Sequence, residues 1–452
     1  MSMTAPDIAI IETSSLGDRS YLISHNGTAV VIDPQRDIDR IHAAAADKNA
    51  AITHVLETHI HNDYVTGGLE LARATGAQYV VPDGDPVEYE RWAVNDGDVI
   101  DAGEMAFQVM HTPGHTHNHV SYVLHHGGKP AAVFTGGSML YGSTGRTDLL
   151  GSEHTDELTH AQFHSVRRIA AELPADADVY PTHGFGSFCS ATPTSGDSST
   201  IGEQRKSNPA LTHDEQSYVD ELIAGLSDYP AYYAHMGVIN TRGPAPIDLS
   251  TPQLVDADEL RRRIDAGQWV VDLRARTAFA AGHLDGSLGF ELSTSFVTYL
   301  GWLYQWGAPL TLIGETSDQI AEATRELARI GIDKPSGSAV GEIHSLAGEK
   351  ELRSYEVSDF DGLLAATDER ALVVLDARQH SEYSEGHIEG AINIPLHELP
   401  HRLTEVPPGE VWVHCATGYR SSIAASILDR ADRTVVLIDD EYSRAAELGL
   451  EK

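Results

Sequence analysis

The chain has only two cysteines in 452 residues, Cys189 and Cys415. That excludes a disulfide framework and leaves each thiol to be read on its own. Basic residues are scarce as well: 31 Lys and Arg stand against 67 Asp and Glu, a formal charge of −36. A body this acidic is repelled by nucleic acid and by anionic membrane surfaces, so neither is expected as a partner. Long uncharged apolar runs are missing, which argues against a membrane-spanning helix. Residues 1–11 carry no basic residue ahead of an apolar stretch, unlike a secretory signal, so a cytoplasmic location is expected. What is present, 41% hydrophobic and 22% charged residues, suits a folded chain, and its length predicts about three units. An anionic substrate would need arginines, helix N-termini or a metal to overcome the acidic field locally.

Through residue 180, β-rich runs at 8–11, 29–33, 52–57, 107–110, 120–124 and 132–135 alternate with helical stretches at 38–46 and 69–75. This predicts a layered α/β domain with ligands at strand ends. Residues 189–209, rich in Ser, Thr, Gly and Pro, read as a long loop, and 237–252, with three prolines, as a linker.

Beyond the linker lies an internal repeat. Asp272, Arg274, Phe279, Gly282, His283 and Gly286 recur 104 positions later as Asp376, Arg378, Tyr383, Gly386, His387 and Gly390. β-rich runs alternate with helical stretches in each copy, predicting two doubly wound parallel-sheet domains. In the second copy Val411–His414 leads into Cys415-Ala416-Thr417-Gly418-Tyr419-Arg420 and a helix from about Ser421. A cysteine between strand and helix meets backbone N–H groups and a positive helix end, which suit an anionic sulfur. Arg420 adds a charge, Gly418 allows the tight turn, and Thr417 and Tyr419 complete the cradle. The first copy reads Gly314-Glu315-Thr316-Ser317-Asp318 there, without cysteine or arginine, and its two carboxylates would repel an anion.

His59 and His61, in Thr58-His59-Ile60-His61-Asn62-Asp63, are metal candidates together with Asp63, His115 and His183. Histidine clusters from separate strand ends are what a transition-metal site built from several loops requires.

The last 100 residues or so resemble the rhodanese family, through Asp-x-Arg, Glu-Tyr-x-x-Gly-His-Ile-x-Gly-Ala and the six-residue loop from Cys415 to Arg420. Cysteine phosphatases and arsenate reductases use a comparable loop, usually one residue longer. The resemblance implies a persulfide on Cys415 passed to a nucleophilic acceptor. The histidine motifs resemble the metallo-β-lactamase superfamily, which implies an αββα sandwich. Phe134-Thr135-Gly136, Gly145-Arg146-Thr147-Asp148-Leu149 and residues 183–211 look most like persulfide dioxygenases, some of which are fused to rhodanese domains. That likeness implies iron(II) held by His59, His115 and an aspartate, with Arg146 holding an anionic part of a thiol carrier.

Two positions depart from the pattern. Gly137 replaces the aspartate, and Tyr64 replaces a histidine that would hold a second metal. His61, Asp63, His117 or water would have to complete an iron site, or His59, His61 and His115 would suit zinc. Restoring aspartate at 137 is expected to raise iron occupancy. The expected organisation is a metal domain at 1–240, a cysteine-free rhodanese-like domain at 253–347 that packs, spaces or dimerises, and a rhodanese domain at 355–452. The expected activity is oxidation of a low-molecular-weight persulfide to sulfite, coupled to sulfur transfer among thiosulfate, sulfite and thiols. A zinc thioester hydrolase of glyoxalase II type and an inactive metal scaffold are the alternatives. A homo-oligomer is compatible with this reading. Cys189 is read as filling a core gap rather than serving the metal pocket.

Overall fold

The computed structural model describes residues 5–452 except 193, 195 and 370, and for 368 and 369 the backbone alone. It divides into two compact units, one reaching Asp248 and taking in Leu327–Gly331, the other made of Leu249–Glu326 and Ile332–Lys452.

In the first unit, one sheet takes its strands in chain order: Asp7–Thr13, Asp18–His25, Thr28–Ile32, Ala51–Leu56, Gln78–Pro82 and Trp92–Val94. The second sheet is ordered Ser199–Thr200, Asp178–Pro181, Lys129–Gly136, Val120–His126, Met105–His111 and Val99–Ala102. Tyr21, Val30, Leu56, Phe107, Tyr122 and Phe134 fill the space between them. Ile41 and Ala45 of the helix Asp39–Asp47, with Leu69 and Ala72 of Gly68–Thr75, cover the outer face of the first sheet. Phe163, Val166 and Ile169 of the helix Ser152–Glu172 cover the other. Because both faces are covered, Thr28–Ile32 reads as a continuous apolar run rather than an alternating one. The result is an αββα sandwich whose histidine loops all follow strand ends.

Two sequence expectations need correction here. The helix Tyr233–Arg242 enters the supposed linker, and irregular chain starts only at Gly243. Its buried residues Tyr233, Met236 and Asn240 keep helical spacing, but one is polar and escapes an apolar pattern. The supposed loop 189–209 contains the helix Ile201–Ser207, opened by a capping box between Thr200 and Glu203.

The second unit holds two mostly parallel sheets. The first copy is ordered Leu288–Gly289, Trp269–Asp272, Leu310–Gly314, Gly337–Val340. The second repeats that order with Ile392–Asn393, Val373–Asp376, Val411–His414 and Val435–Ile438, then adds Glu356–Ser358 at the edge. The repeated residues prove to be framework. Arg274 clamps Asp272 and donates to the Gly282 carbonyl at 2.8 Å, and Arg378 does the same with Asp376 and Gly386, also at 2.8 Å. His283 stacks on Phe279 and His387 on Tyr383, with ring centroids 4.0 and 3.9 Å apart.

Candidate metal and sulfur sites

Three imidazoles converge at one edge of the sandwich. His59 follows the strand Ala51–Leu56, His115 follows Met105–His111, and His183 follows Asp178–Pro181. All three are buried, and each places a ring nitrogen within 4.8 Å of the others. Their tautomers are set from behind. The Thr58 hydroxyl donates to Asp33 at 2.7 Å, so His59 Nδ1–H donates to the Thr58 oxygen at 2.8 Å. His115 Nδ1–H donates to the Arg146 carbonyl at 2.7 Å. His183 Nδ1–H faces Asp18 at 2.9 Å and Asp63 at 3.0 Å. Each Nε2 is thereby left to point inward: those of His59 and His183 lie 3.4 Å apart, and that of His115 is buried with no hydrogen-bond partner. An orphaned buried nitrogen beside two convergent imidazoles fits a bound transition metal, with carboxylates and carbonyls orienting the ligands. Burial and neighbouring histidines hold His59 well below its ordinary pKa, and burial with His183 brings His115 down to about 3, so both present neutral lone pairs.

His61, expected among the ligands, faces the framework through Nε2, while its buried Nδ1 has no hydrogen-bond partner. Its Nε2 lies 3.3 Å from both Asp33 and Glu57 and 3.0 Å from the Tyr64 hydroxyl. Burial opposes its charge, but Asp33 and Glu57 override it and raise His61 to about 9. Without a bound metal these carboxylates favour the charged ring, as Asp63 and Asp18 do for His183, which they raise well above its ordinary value. Asp63 supports His183, although His61, Asp63 and His183 also form a close group. His119 is spoken for as well, accepting from the Gly137 N–H at 3.0 Å and lying 2.9 Å from the Thr112 hydroxyl.

Arg146 is held by partners within the fold. Its guanidinium is 2% exposed, grips Asp148 at 2.6 and 2.7 Å and donates to the carbonyls of Phe188 and Ser227, so its charge is already matched. Cys189 is fully buried, its Sγ 3.8 Å from the Tyr233 hydroxyl, and burial followed by Asp63 and Asp18 pushes its thiol well above the ordinary range.

Four residues with no sequence motif of their own position these groups. Asp33 accepts the Thr58 N–H at 2.7 Å, the Thr58 hydroxyl, and the hydroxyl of Thr182, so one carboxylate sets the residues ahead of both His59 and His183. Asp18 orients His183. Gln162 accepts the His115 N–H at 2.9 Å and donates to the Gly137 and Ser138 carbonyls. Asn240 donates to the carbonyls of His61 and Tyr64 and accepts the Thr66 N–H.

In the second unit Val411–His414 ends at Cys415, and Gly418, at φ +89°, opens the helix Tyr419–Arg430. Only glycine suits that left-handed turn, since a Cβ would also meet Asp439 Oδ1 at 2.1 Å. Cys415 is 1% exposed, with Sγ 3.4 Å from the Ser421 hydroxyl. Thr417 is exposed at the loop tip and Tyr419 is buried. Arg420 makes a two-pronged ion pair with Glu382 at 2.5 and 2.7 Å, which places a competing carboxylate beside the expected anion cradle. In the cysteine-free copy the matching amides are occupied: Gln319 Oε1 accepts the N–H of Glu315 at 2.7 Å and of Thr316 at 3.4 Å.

A two-sheet sandwich with a buried imidazole triad at its strand ends defines a metalloprotein of metallo-β-lactamase type, here followed by a strand, cysteine loop and helix on a parallel sheet. The sequence model of the metallo-beta-lactamase superfamily matches residues 19–183, and that of the rhodanese-like domain matches residues 359–447. The mitochondrial persulfide dioxygenase ETHE1 of Bos taurus is 30% identical over 213 residues, 46% of this chain and 74% of that protein. Hydroxyacylglutathione hydrolase of Pseudomonas aeruginosa (strain LESB58) is 32% identical over 157 residues, 34% of this chain and 56% of that protein. The crystal structure of a metallo-beta-lactamase from Staphylococcus aureus subsp. aureus COL superposes with a TM-score of 0.67 at 27% identity, covering 75% of this chain and 100% of the other. The chain belongs to the persulfide dioxygenase branch of the metallo-β-lactamase superfamily and carries a C-terminal rhodanese-like domain.

Proposed function

We propose that this is a sulfur-metabolism enzyme that oxidises a low-molecular-weight persulfide to sulfite in its metal domain and transfers sulfane sulfur through Cys415. The overall oxidation takes RSSH, O2 and H2O to RSH, sulfite and two protons. At the second site the Cys415 thiolate attacks the outer sulfur of thiosulfate, forming a persulfide as the S–S bond to sulfite breaks, and a thiol or cyanide then removes that sulfur. With sulfite in excess the same step runs backward and makes thiosulfate. In this reading residues 1–240 form the metal domain, 253–347 a cysteine-free rhodanese-like domain and 355–452 the sulfurtransferase.

The observation that carries the oxidative reading is Tyr64, buried beside His61 where a histidine would serve a second metal. In this reading His59, His115 and His183 form the metal position, and the neighbouring group of His61, Asp63 and His183 lacks the further histidine that Tyr64 replaces. A metal bound there, iron(II) by kinship with the dioxygenases, would supply open coordination positions where oxygen and persulfide sulfur meet. Around it this chain's residues hold the imidazoles in their ligating tautomers and seal the pocket with buried side chains.

The imidazole triad itself favours a second reading, since three histidines with an open fourth position also suit zinc and hydrolysis of a thioester. The two are separated by assaying a glutathione persulfide and an acylglutathione with and without oxygen. Oxygen-dependent sulfite formation supports the dioxygenase. Oxygen-independent thioester cleavage without sulfite formation supports the hydrolase.

A further inference from the structure

One guanidinium lies between two carboxylates beside the Cys415 loop. Arg276 donates from Nε to Asp439 Oδ1 and from Nη1 to Glu291 Oε2, each at 2.7 Å. Arg276 and Glu291 belong to the cysteine-free copy, whereas Asp439 follows the strand Val435–Ile438 of the cysteine-bearing copy. Each carboxylate residue leads onward to the loop. Asp439 lies against Gly418, so closely that no Cβ fits between them. Glu291, through its backbone carbonyl, accepts the Tyr419 hydroxyl at 2.8 Å. Tyr299 of the cysteine-free copy adds a ring contact to Tyr419, centroids 5.7 Å apart.

The same strand end holds the rest of the loop. The Ser421 hydroxyl lies between the carbonyls of Gly418 at 2.9 Å and Ile438 at 3.1 Å, and the Tyr442 N–H donates to the Ala416 carbonyl at 2.8 Å. Gly418 and Tyr419 are where the loop turns into the helix, and their placement decides where the amides around Cys415 point. Asp439 and Glu291 are largely shielded, with side chains 16% and 24% exposed. Without Arg276 two shielded carboxylates would be left unneutralised beside the loop.

We infer that Arg276 is a positioning residue for the sulfur site, and that the cysteine-free copy shapes the catalytic loop of its neighbour through it. Arg276 touches neither Cys415 nor the reacting sulfur; it acts through Asp439, Glu291 and the loop they hold. The inference rests on the reading of Cys415 as the sulfur-transfer nucleophile. It assigns the first copy a role in catalysis beyond packing and spacing.

The test uses the full chain and compares wild type, Arg276→Ala, Arg276→Lys and Cys415→Ser in thiosulfate:cyanide turnover, with mass spectrometry of the Cys415 peptide for persulfide loading and a melting curve for each. Arg276→Ala is expected to raise KM for thiosulfate about tenfold or more and to slow persulfide loading, because misaligned loop groups lose the anion. Lysine keeps the charge but cannot bridge both carboxylates, so Arg276→Lys should fall between. A folded Arg276→Ala with wild-type kcat and KM overturns the inference, as does a lower melting temperature with unchanged kinetics. Should the alanine variant fail to fold, a wild-type KM in Arg276→Lys overturns it instead. Absence of turnover in the wild type itself would remove the sulfur-transfer reading and this inference with it, an outcome distinct from a normal wild type with an unaffected variant.

Discussion

A Cβ atom on Gly137 would sit 2.2 Å from Cδ2 of His115 and 2.8 Å from its Nε2. The imidazole occupies the volume that an aspartate at this position would need. Gly137 has no left-handed φ, so the obstacle is space rather than backbone conformation. Gln162 fixes the arrangement by holding the His115 N–H and the Gly137 carbonyl together. The triad of His59, His115 and His183 is accordingly proposed in place of the expected pair of histidines with a carboxylate.

Gly137→Asp should then fail to restore an iron site, against the expectation from sequence. We predict lower metal content and a loss of about 1–3 kcal/mol of stability from overpacking. Metal analysis and denaturant titration of the two proteins check this. A rise in iron occupancy would show that His115 can move aside.

Asp33→Asn tests the support behind the ligands. An amide offers one acceptor oxygen where the carboxylate takes three hydrogen bonds from Thr58 and Thr182. Metal affinity is predicted to fall roughly 10–100-fold, with the circular dichroism spectrum retained. Competition with a chelating dye provides the measurement, and unchanged affinity would mean that the loops hold themselves.

The ion pair between Arg420 and Glu382 makes opposite predictions for its two members. Arg420→Ala should raise KM for thiosulfate, by about tenfold if one charge-assisted contact is lost. Glu382→Gln frees the guanidinium and removes a competing anion, so KM should fall. A rise in both variants would show that Glu382 mainly positions Arg420.

Stability of the metal-free protein should depend on pH with a definite sign. His61, raised to about 9 in the fold against an ordinary 6.5, contributes fully below pH 6.5, and that contribution is lost as pH rises through about 9. His414, which burial brings down to about 4, contributes fully above 6.5 and loses that contribution as pH falls toward 4. Melting temperature should therefore drop on the alkaline side, and His61→Gln should flatten that limb. An alkaline limb unchanged in His61→Gln would contradict the imidazolium assignment.

The sequence was informative where function sits in short linear patterns. His59, His115 and His183 each close a strand with a recognisable loop, and Cys415 stands in a loop whose length and flanks are diagnostic. It was silent on Asp33, Asp18 and Asn240, whose partners lie 25 to 179 positions away and are met only through packing. Other features were present but passed over. Asp148 stands two residues from Arg146, enough to suspect an internal pair, and Thr200 with Glu203 spelled a helix start. The choice between His61 and His183 as third ligand could not be read from spacing. Both imidazoles face carboxylates that only packing brings to them, Asp33 and Glu57 at His61 and Asp18 and Asp63 at His183.

The most direct test of the account is simultaneous oxygen-electrode and sulfite measurement on the Cys415→Ser variant supplied with glutathione persulfide. That substitution silences sulfur transfer, because an alcohol cannot carry a persulfide, and leaves the metal domain to act alone. The account predicts oxygen uptake matched one for one by sulfite, lost when His115 is also replaced. Persulfide left unconsumed, or sulfite formed without oxygen, would contradict it.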